Sequence, residues 1–233
     1  MRAIILAAGR STRLYPLTLD KPKCLLTIGN NTIIEHQITW LRGCGVDDIL
    51  VVIGYLGHRI KKVLGNTIRY KYYKDFGTTN NLHTLYHVRD ELKGDIVILF
   101  SDVLLSKDLL KRCIENTKDF RLIIDKKNVT CKTMRVKIKD NSIYDIGNHI
   151  PVQEGDGNFT GIAGFSKKGV ELLVGQMEKM VKDEFHKKSY YTAALTAIAG
   201  RGHTINYIDV KNEPWIEIDY EEDYQKAQRV YKP

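Results

Sequence analysis

Residues 6–26 read LAAGRSTRLYPLTLDKPKCLL and grow out of the apolar run Arg2–Ala7. An apolar strand that ends in Ala7, Ala8 and Gly9 lets the backbone come close to a ligand. Free amides in such a turn suit phosphate oxygens. Arg10, Arg13, Lys21 and Lys23 are interleaved with glycine, serine and proline, and Arg13 adds a planar, bidentate phosphate donor. The stretch is neither a GxGxxG fingerprint nor a GxxxxGK[ST] loop, which excludes the two commonest phosphate motifs. Read alone, it is equally a tight strand-to-helix connection with exposed arginines.

Outward from this loop, apolar runs alternate with helical periodicity. Ile34, Ile38 and Leu41 recur at i, i+4, i+7, Asp48–Ile53 is a buried strand, and Gly57–Leu64 is a short helix. Strands are expected at Thr67–Tyr73, Asp95–Phe100 and Arg121–Asp125, with helices over Asn80–Leu92 and Ser106–Asn116. Such alternation predicts an α/β fold, a mostly parallel mixed sheet with helices on both faces. The second half adds Thr133–Lys139 and Ser142–Ile146 around Asp140–Asn141, a two-residue hairpin signal that predicts a small β-hairpin insertion. A strand at Phe159–Phe165 is followed by helices at Lys168–Val181 and Tyr190–Gly200. Strands at His203–Val210 and Trp215–Ile218 and a helix over Tyr220–Tyr231 close the chain. No repeat or low-complexity linker interrupts it, so residues 1–233 read as a single domain.

The 233 residues, 43% apolar and 27% charged, suffice for one sizeable core and exclude a disordered chain. The apolar runs are too short to span a bilayer, and no signal-peptide pattern opens the chain. Four widely spaced cysteines without CxxC read as reduced packing thiols, so a cytoplasmic address is expected. Thirty-six Lys and Arg against 28 Asp and Glu give a net charge of +8, which suits an anionic partner. The basic residues are scattered without a block of five or six, so a phosphorylated small molecule is favoured over nucleic acid or membrane. No expectation of oligomeric state follows.

The segment Leu6–Leu26 resembles the signature of nucleotidyltransferases with a glycosyltransferase-A-like Rossmann fold: a strand, AAGxGTRL, a proline-containing spacer and PKxLL. Ser11 stands where that family usually has glycine. Trp40–Tyr55 is similar to the family's second βα unit. Thr79-Asn80-Asn81-Leu82 before a helix, and Gly157–Ser166 (GNFTGIAGFS), resemble the subgroup of CTP cytidylyltransferases acting on phosphocholine and similar small acceptors. Phe100-Ser101-Asp102-Val103 ends a strand where the family places its metal-binding aspartate, and Trp215–Asp219 resembles its W-x-E-I-D element. The resemblance implies transfer of CMP from CTP to a small phosphorylated acceptor with release of pyrophosphate. It implies Mg²⁺ at Asp102, Asp219 and Glu217, and catalysis by Arg13 and Lys23. Nucleotide binding falls to Leu6, Ala7, Ala8, Gly9, Arg10, Ser11, Thr12, Lys21, Asn80, Asn81 and Ser101. Acceptors in view are phosphocholine-, phosphonate-, phospho-amino-acid- and inositol-phosphate-like. The alternative is a sugar-1-phosphate nucleotidyltransferase using UTP, dTTP or GTP.

The residues themselves carry part of this. Glu217 and Asp219 are two apart on a strand and face one way, while Ile216 and Ile218 face the other. Asp102 follows a central strand, where open α/β sheets bind ligands. Converging carboxylates make a hard oxygen site. Read without the family, the surface charge or helix cap is the favoured reading of each, with Asp219 a candidate N-cap of the last helix. A phosphate monoester, with its second pKa about 6, attacks without a general base and needs mainly alignment and charge neutralisation. Thirteen tyrosines and Trp215 raise the prospect of an aromatic box for a quaternary ammonium, with Tyr190 and Trp215 as the acceptor-side candidates. His83 and His87 are at i, i+4 but lack the HExxH glutamate.

Overall fold

A computed structural model describes residues 1–231. In chain order it contains β1 (Arg2–Ala7), β2 (Thr27–Ile28), β3 (Asn31–Thr32), α1 (Ile33–Gly43), β4 (Asp48–Ile53), α2 (Gly57–Leu64) and β5 (Arg69–Tyr72). There follow α3 (Asn81–His87), β6 (Ile96–Phe100), β7 (Val103–Leu105), α4 (Lys107–Glu115), β8 (Phe120–Asp125), β9 (Arg135–Lys139) and β10 (Ser142–Gly147). The chain then forms β11 (Gly157–Phe165), α5 (Lys167–Met180), α6 (Thr192–Ala199), β12 (Asn206–Asp209), β13 (Trp215–Glu217) and α7 (Glu221–Val230).

The apolar runs become the centre of one sheet. Strands β5, β4, β1 and β6 lie side by side in parallel. β11 runs antiparallel to β6 and to β8, and β12 extends the edge parallel to β8. Every residue of β6, β8 and β11 is buried, which requires cover on both faces; β6 is apolar throughout, while β8 and β11 also bury Arg121, Asp125, Asn158 and Thr160. The expected mixed, mostly parallel α/β architecture is therefore the one observed.

β11 changes partners along its length. Ile162–Phe165 pair with β6, whereas Gly157 and Asn158 pair with β9 of the hairpin. Between them Gly161 takes φ +89°, and a Cβ there would stand 2.8 Å from the Phe100 ring. Only glycine fits this bend, which carries the β9–β10 hairpin out over the carboxyl ends of the parallel strands. The hairpin turn has Asp140 at φ 48° and Asn141 at φ 58°, as its two-residue signal predicts.

Differences from the sequence reading are local. The helix expected over Asn80–Leu92 stops at His87 and continues as a 3₁₀ turn, Arg89–Glu91. Leu82 and Leu85 lie in the α-helical part, and Val88 is the residue at which the winding changes. β7, three residues long and paired antiparallel with β13, is too short to show a period in the sequence. A second, smaller core of Leu14, Leu26, Ile28, Ile33, Leu104, Ile216, Ile218 and Ala227 lies between the first loop, β7, β13 and α7. Among the described residues no helix is long and apolar enough to cross a membrane.

Candidate active site

The first loop leaves β1 at Ala7 and passes Gly9, where nothing lies within 4 Å of a built Cβ. Side-chain-free backbone therefore faces the open cavity. Ser11 adopts φ 52°, ψ 48°, a left-handed conformation that accounts for the glycine usual at this point of the motif. Its carbonyl accepts from Leu14 N at 3.2 Å and from Thr18 Oγ1 at 2.8 Å, which ties the loop down. Pro22 then leads into a single 3₁₀ turn, Lys23–Leu25, that turns the lysine inward while Cys24 and Leu25 enter the core.

Lys23 is buried and bridges two carboxylates, Asp102 Oδ2 at 2.6 Å and Asp219 Oδ1 at 2.8 Å. Burial works against its ammonium, but Asp102 and Asp219 outweigh that and hold the amine above its ordinary value. Arg13 Nη2 reaches the same Asp219 oxygen at 2.7 Å. Its partial burial is likewise outweighed, chiefly by Asp219, and its pKa is raised.

Asp102 sits in the turn between β6 and β7. Gln37 of α1 braces that turn from behind, donating from Nε2 to Phe100 O and Val103 O at 2.8 Å each. Asp219 follows β13 and is not the cap of α7. Instead Asp223 Oδ2 accepts from the backbone amides of Asp219 at 3.2 Å and Tyr220 at 2.9 Å, anchoring the carboxylate-bearing segment to the helix.

Oxygens of Asp102, Glu217 and Asp219 all lie within 4.8 Å of one another. Burial first, and then the charges of Asp102 and Asp219, push the Glu217 carboxyl up to about 8. Asp102 Oδ1 is buried and has no hydrogen-bond partner. An orphaned carboxylate oxygen facing two others is a hard donor set short of a cation, and it fits a divalent ion such as Mg²⁺. Among the described residues no other group of this kind brings three potential ligands together. His87 packs at 5.2 Å against the Tyr73 ring instead.

A cavity of about 280 Å³ opens above the carboxylates. Of the nucleotide-side candidates, Leu6, Ala8, Gly9, Ser11, Asn80 and Asn81 line it, together with Arg13, Lys23, Asp102, Glu217 and Asp219. Ala7 and Ser101 line a separate cleft of about 90 Å³ beneath the loop. Thr12 opens the 3₁₀ turn that ends at Leu14, and Lys21 lines neither space. Arg10 lies 5.6 Å over the Phe76 ring, outside the cavity wall. Asn80 Oδ1 accepts from Asn81 N at 2.8 Å, and Asn81 Oδ1 accepts from Tyr191 N at 2.8 Å, so the pair clamps the start of α3 to the segment before α6.

The two aromatic candidates are not brought together. Tyr190 lines the main cavity, whereas Trp215 lines an adjoining one of about 630 Å³ and donates its indole N–H to Asp125 Oδ2 at 2.8 Å. Tyr191 is wholly buried, 5.9 Å from the Phe100 ring, and Tyr73 is buried as well. No aromatic box forms from them, because each ring is claimed by a different packing surface. Sequence reasoning missed Phe76, Thr84, Lys132, Met134 and Asn148 in the cavity wall. Phe76, Lys132, Met134 and Asn148 come from loops, where no period or motif marks them, and Thr84 comes from α3.

An open α/β sheet with its amide-bearing loop, cations and carboxylates gathered at the strand ends defines an enzyme that handles phosphate groups. The nucleotidyl transferase family model matches residues 2–144, more than half of the sequence, and the chain belongs to that family. It is 27% identical to the CTP:phosphoglutamine cytidylyltransferase of Campylobacter jejuni, over 97% of this chain and 98% of the relative. It is also 27% identical to the choline-phosphate cytidylyltransferase of Streptococcus pneumoniae, over 100% of this chain and 99% of the relative. The solved structure of the CTP:phosphocholine cytidylyltransferase from S. pneumoniae superposes with a TM-score of 0.79 at 25% identity, covering 99% of both chains. The expected likeness to the small-acceptor cytidylyltransferases is thus found along the whole length. The protein is a nucleotidyltransferase.

Proposed function

We propose that this chain transfers CMP from CTP to a small phosphorylated acceptor and releases pyrophosphate. The observation that carries the reading is the end-to-end match to two CTP-dependent enzymes, one acting on phosphoglutamine and one on choline phosphate. The geometry supports it. The loop amides near Ala8, Gly9 and Ser11 face the cavity from one side, with Arg13 beside them, and suit a triphosphate. Asn80 and Asn81 line the same cavity and are the candidates for the neighbourhood of the base.

Asp102, Glu217 and Asp219 are the residues that would hold Mg²⁺, which when bound neutralises phosphate charge and orients the reacting groups. Lys23 and Arg13 lie against the same carboxylates and stabilise charge building on the α-phosphate and leaving pyrophosphate. The acceptor dianion supplies its own nucleophilic oxygen, so no general base is required of the protein. Residues 1–233 act as one catalytic domain in this reading. Four free cysteines suit a reducing, cytoplasmic setting, and burial pushes the Cys24 thiol up to about 12, out of nucleophilic use.

The test is pyrophosphate release with Mg²⁺ and each of CTP, UTP, GTP, ATP and dTTP. Acceptors offered are phosphocholine, phosphoglutamine, inositol 1-phosphate, 2-aminoethylphosphonate and glucose 1-phosphate. Turnover with CTP and one small acceptor is expected, lost at least 100-fold in Asp102→Ala, on the order of a removed transition-state charge partner. Turnover confined to UTP or dTTP with glucose 1-phosphate would replace this reading with the sugar-1-phosphate one.

A further inference from the structure

We propose that Lys132 is the cation that receives the acceptor's phosphate, and that Glu222 and Asp223 hold it in reserve until the acceptor arrives. The proposal rests on the CMP-transfer reading above and adds to it the residue that meets the second substrate.

Three cationic side chains line the main cavity: Arg13, Lys23 and Lys132. Arg13 and Lys23 are engaged with Asp219 and Asp102 inside the site. Lys132, in the loop between β8 and β9, is differently placed. Its ammonium contacts Glu222, and Asp223 Oδ1 at 3.3 Å, both on the first turn of α7. Its side chain is 42% exposed and that of Glu222 is 71% exposed. Exposed pairs of this kind are weak and exchange readily for a better anion.

Lys132 also stands at a junction. It lines both the main cavity and the adjoining 630 Å³ cavity, and the two spaces share only Glu217 and Asp219 besides. The two cations Lys132 and Arg13 each lie 5.4 Å from the centre of the Tyr220 ring, so both neighbour the same aromatic side chain. Asp223 joins the two ends of the arrangement, with one oxygen on Lys132 and the other on the Asp219 amide. In-line displacement places the incoming oxygen and the leaving pyrophosphate on opposite sides of the α-phosphorus. Gly9, Ser11 and Arg13 take the triphosphate side. Of the three cations lining the cavity, Lys132 is then the one left to meet the second phosphate, since Arg13 and Lys23 are taken up by Asp219 and Asp102. A dianionic phosphate displaces Glu222 because it offers the ammonium more charge and more acceptor oxygens than one exposed carboxylate.

The experiment uses the full-length protein with Mg²⁺, saturated with the α,β-methylene analogue of CTP so that no turnover occurs. Inorganic phosphate is titrated by ³¹P line broadening, and analogue affinity is measured in parallel. Lys132→Met is expected to weaken phosphate binding about tenfold, the scale of one charge-assisted hydrogen bond. Lys132→Arg should retain it, and Glu222→Gln should tighten it about two- to threefold by removing an exposed competing charge. Analogue affinity and melting temperature should stay unchanged in all three. Phosphate affinity within twofold of wild type in Lys132→Met overturns the proposal. So does a parallel fall in analogue affinity and melting temperature, which marks a structural lysine, and so does a wild type that binds the analogue but no phosphate. A wild type that binds no analogue fails the nucleotide reading itself, and this proposal falls with it.

Discussion

Lys23→Met tests the electrostatic frame of the site directly. The substitution keeps the aliphatic stem and removes a buried ammonium lying 2.6 Å from Asp102 and 2.8 Å from Asp219. Breaking a buried pair by deleting one partner costs about 3–5 kcal/mol, because the other charge stays behind. Here the lower end applies. Arg13 still reaches Asp219 at 2.7 Å, and Glu217, pushed up to about 8, relieves repulsion by holding a proton. A loss of about 3 kcal/mol in a chain of this size lowers the melting temperature by roughly 6–12 °C. The loss should be largest near pH 8.5, where Glu217 is mostly ionised, and smaller near pH 6, where it is mostly protonated. A divalent ion can take the place of the missing ammonium among the three carboxylates, and at a concentration 100 times its Kd it returns about 2.7 kcal/mol. Differential scanning fluorimetry at both pH values, with and without 10 mM MgCl₂, reads all of this, 10 mM being on the order of a working excess over such a site. A variant within about 1 kcal/mol of wild type at pH 8.5 without metal would show that Asp102 and Asp219 do not depend on Lys23. No magnesium shift in either protein would show that the trio is not a cation site.

Three further outcomes follow from the same structure. Glu217 has a carboxyl held high in the folded state, so its contribution is complete at acid pH and is lost as pH rises through about 8. Metal-free wild type should therefore weaken from pH 5 to 8, by at most about 4 kcal/mol, and urea titrations of Glu217→Gln should lack that slope. Gly161→Ala meets both φ +89° and the Phe100 ring at 2.8 Å, which together cost about 3 kcal/mol and should depress turnover as well, since Phe100 lies two residues before Asp102. Ser11→Gly relieves the left-handed φ of 52° and should stabilise by about 0.5–1 kcal/mol in urea titrations after the added freedom of the unfolded glycine is subtracted.

What could be read from the sequence followed from local rules. The runs at β1 and β4, after an opening Arg2 and Asp48, and at β6 are apolar because parallel central strands are covered on both faces. Asp140–Asn141 declared its hairpin because both residues tolerate positive φ. Glu217 and Asp219 could be assigned to one face from strand alternation alone. Lys132, Met134 and Asn148 could not be found this way. They reach the cavity because β11 bends at Gly161 and swings the hairpin over the site, a consequence of one backbone angle rather than of any spacing. Tyr190 and Trp215 show how little composition says about placement. Composition offered many aromatics, but where a ring ends up depends on its packing partner, and the Trp215 indole is held by Asp125 away from Tyr190.

The small second core explains why the first loop and the last element make one site. Leu14 and Leu26, at either end of the loop segment, pack with Ile216 and Ile218 of the C-terminal element, and with Leu104 of β7 and Ala227 of α7. Alternation then does the rest: burying Ile216 and Ile218 on this core turns Glu217 and Asp219 toward Asp102, Lys23 and Arg13. The apolar cluster and the carboxylate trio are two faces of a single short element. The trio concentrates negative charge, and the loop that shares the apolar face brings the two cations that offset it. Neither half is expected to hold its place alone. A C-terminal segment without the loop leaves three converging carboxylates unopposed, and a loop without the segment leaves Lys23 buried with one partner fewer.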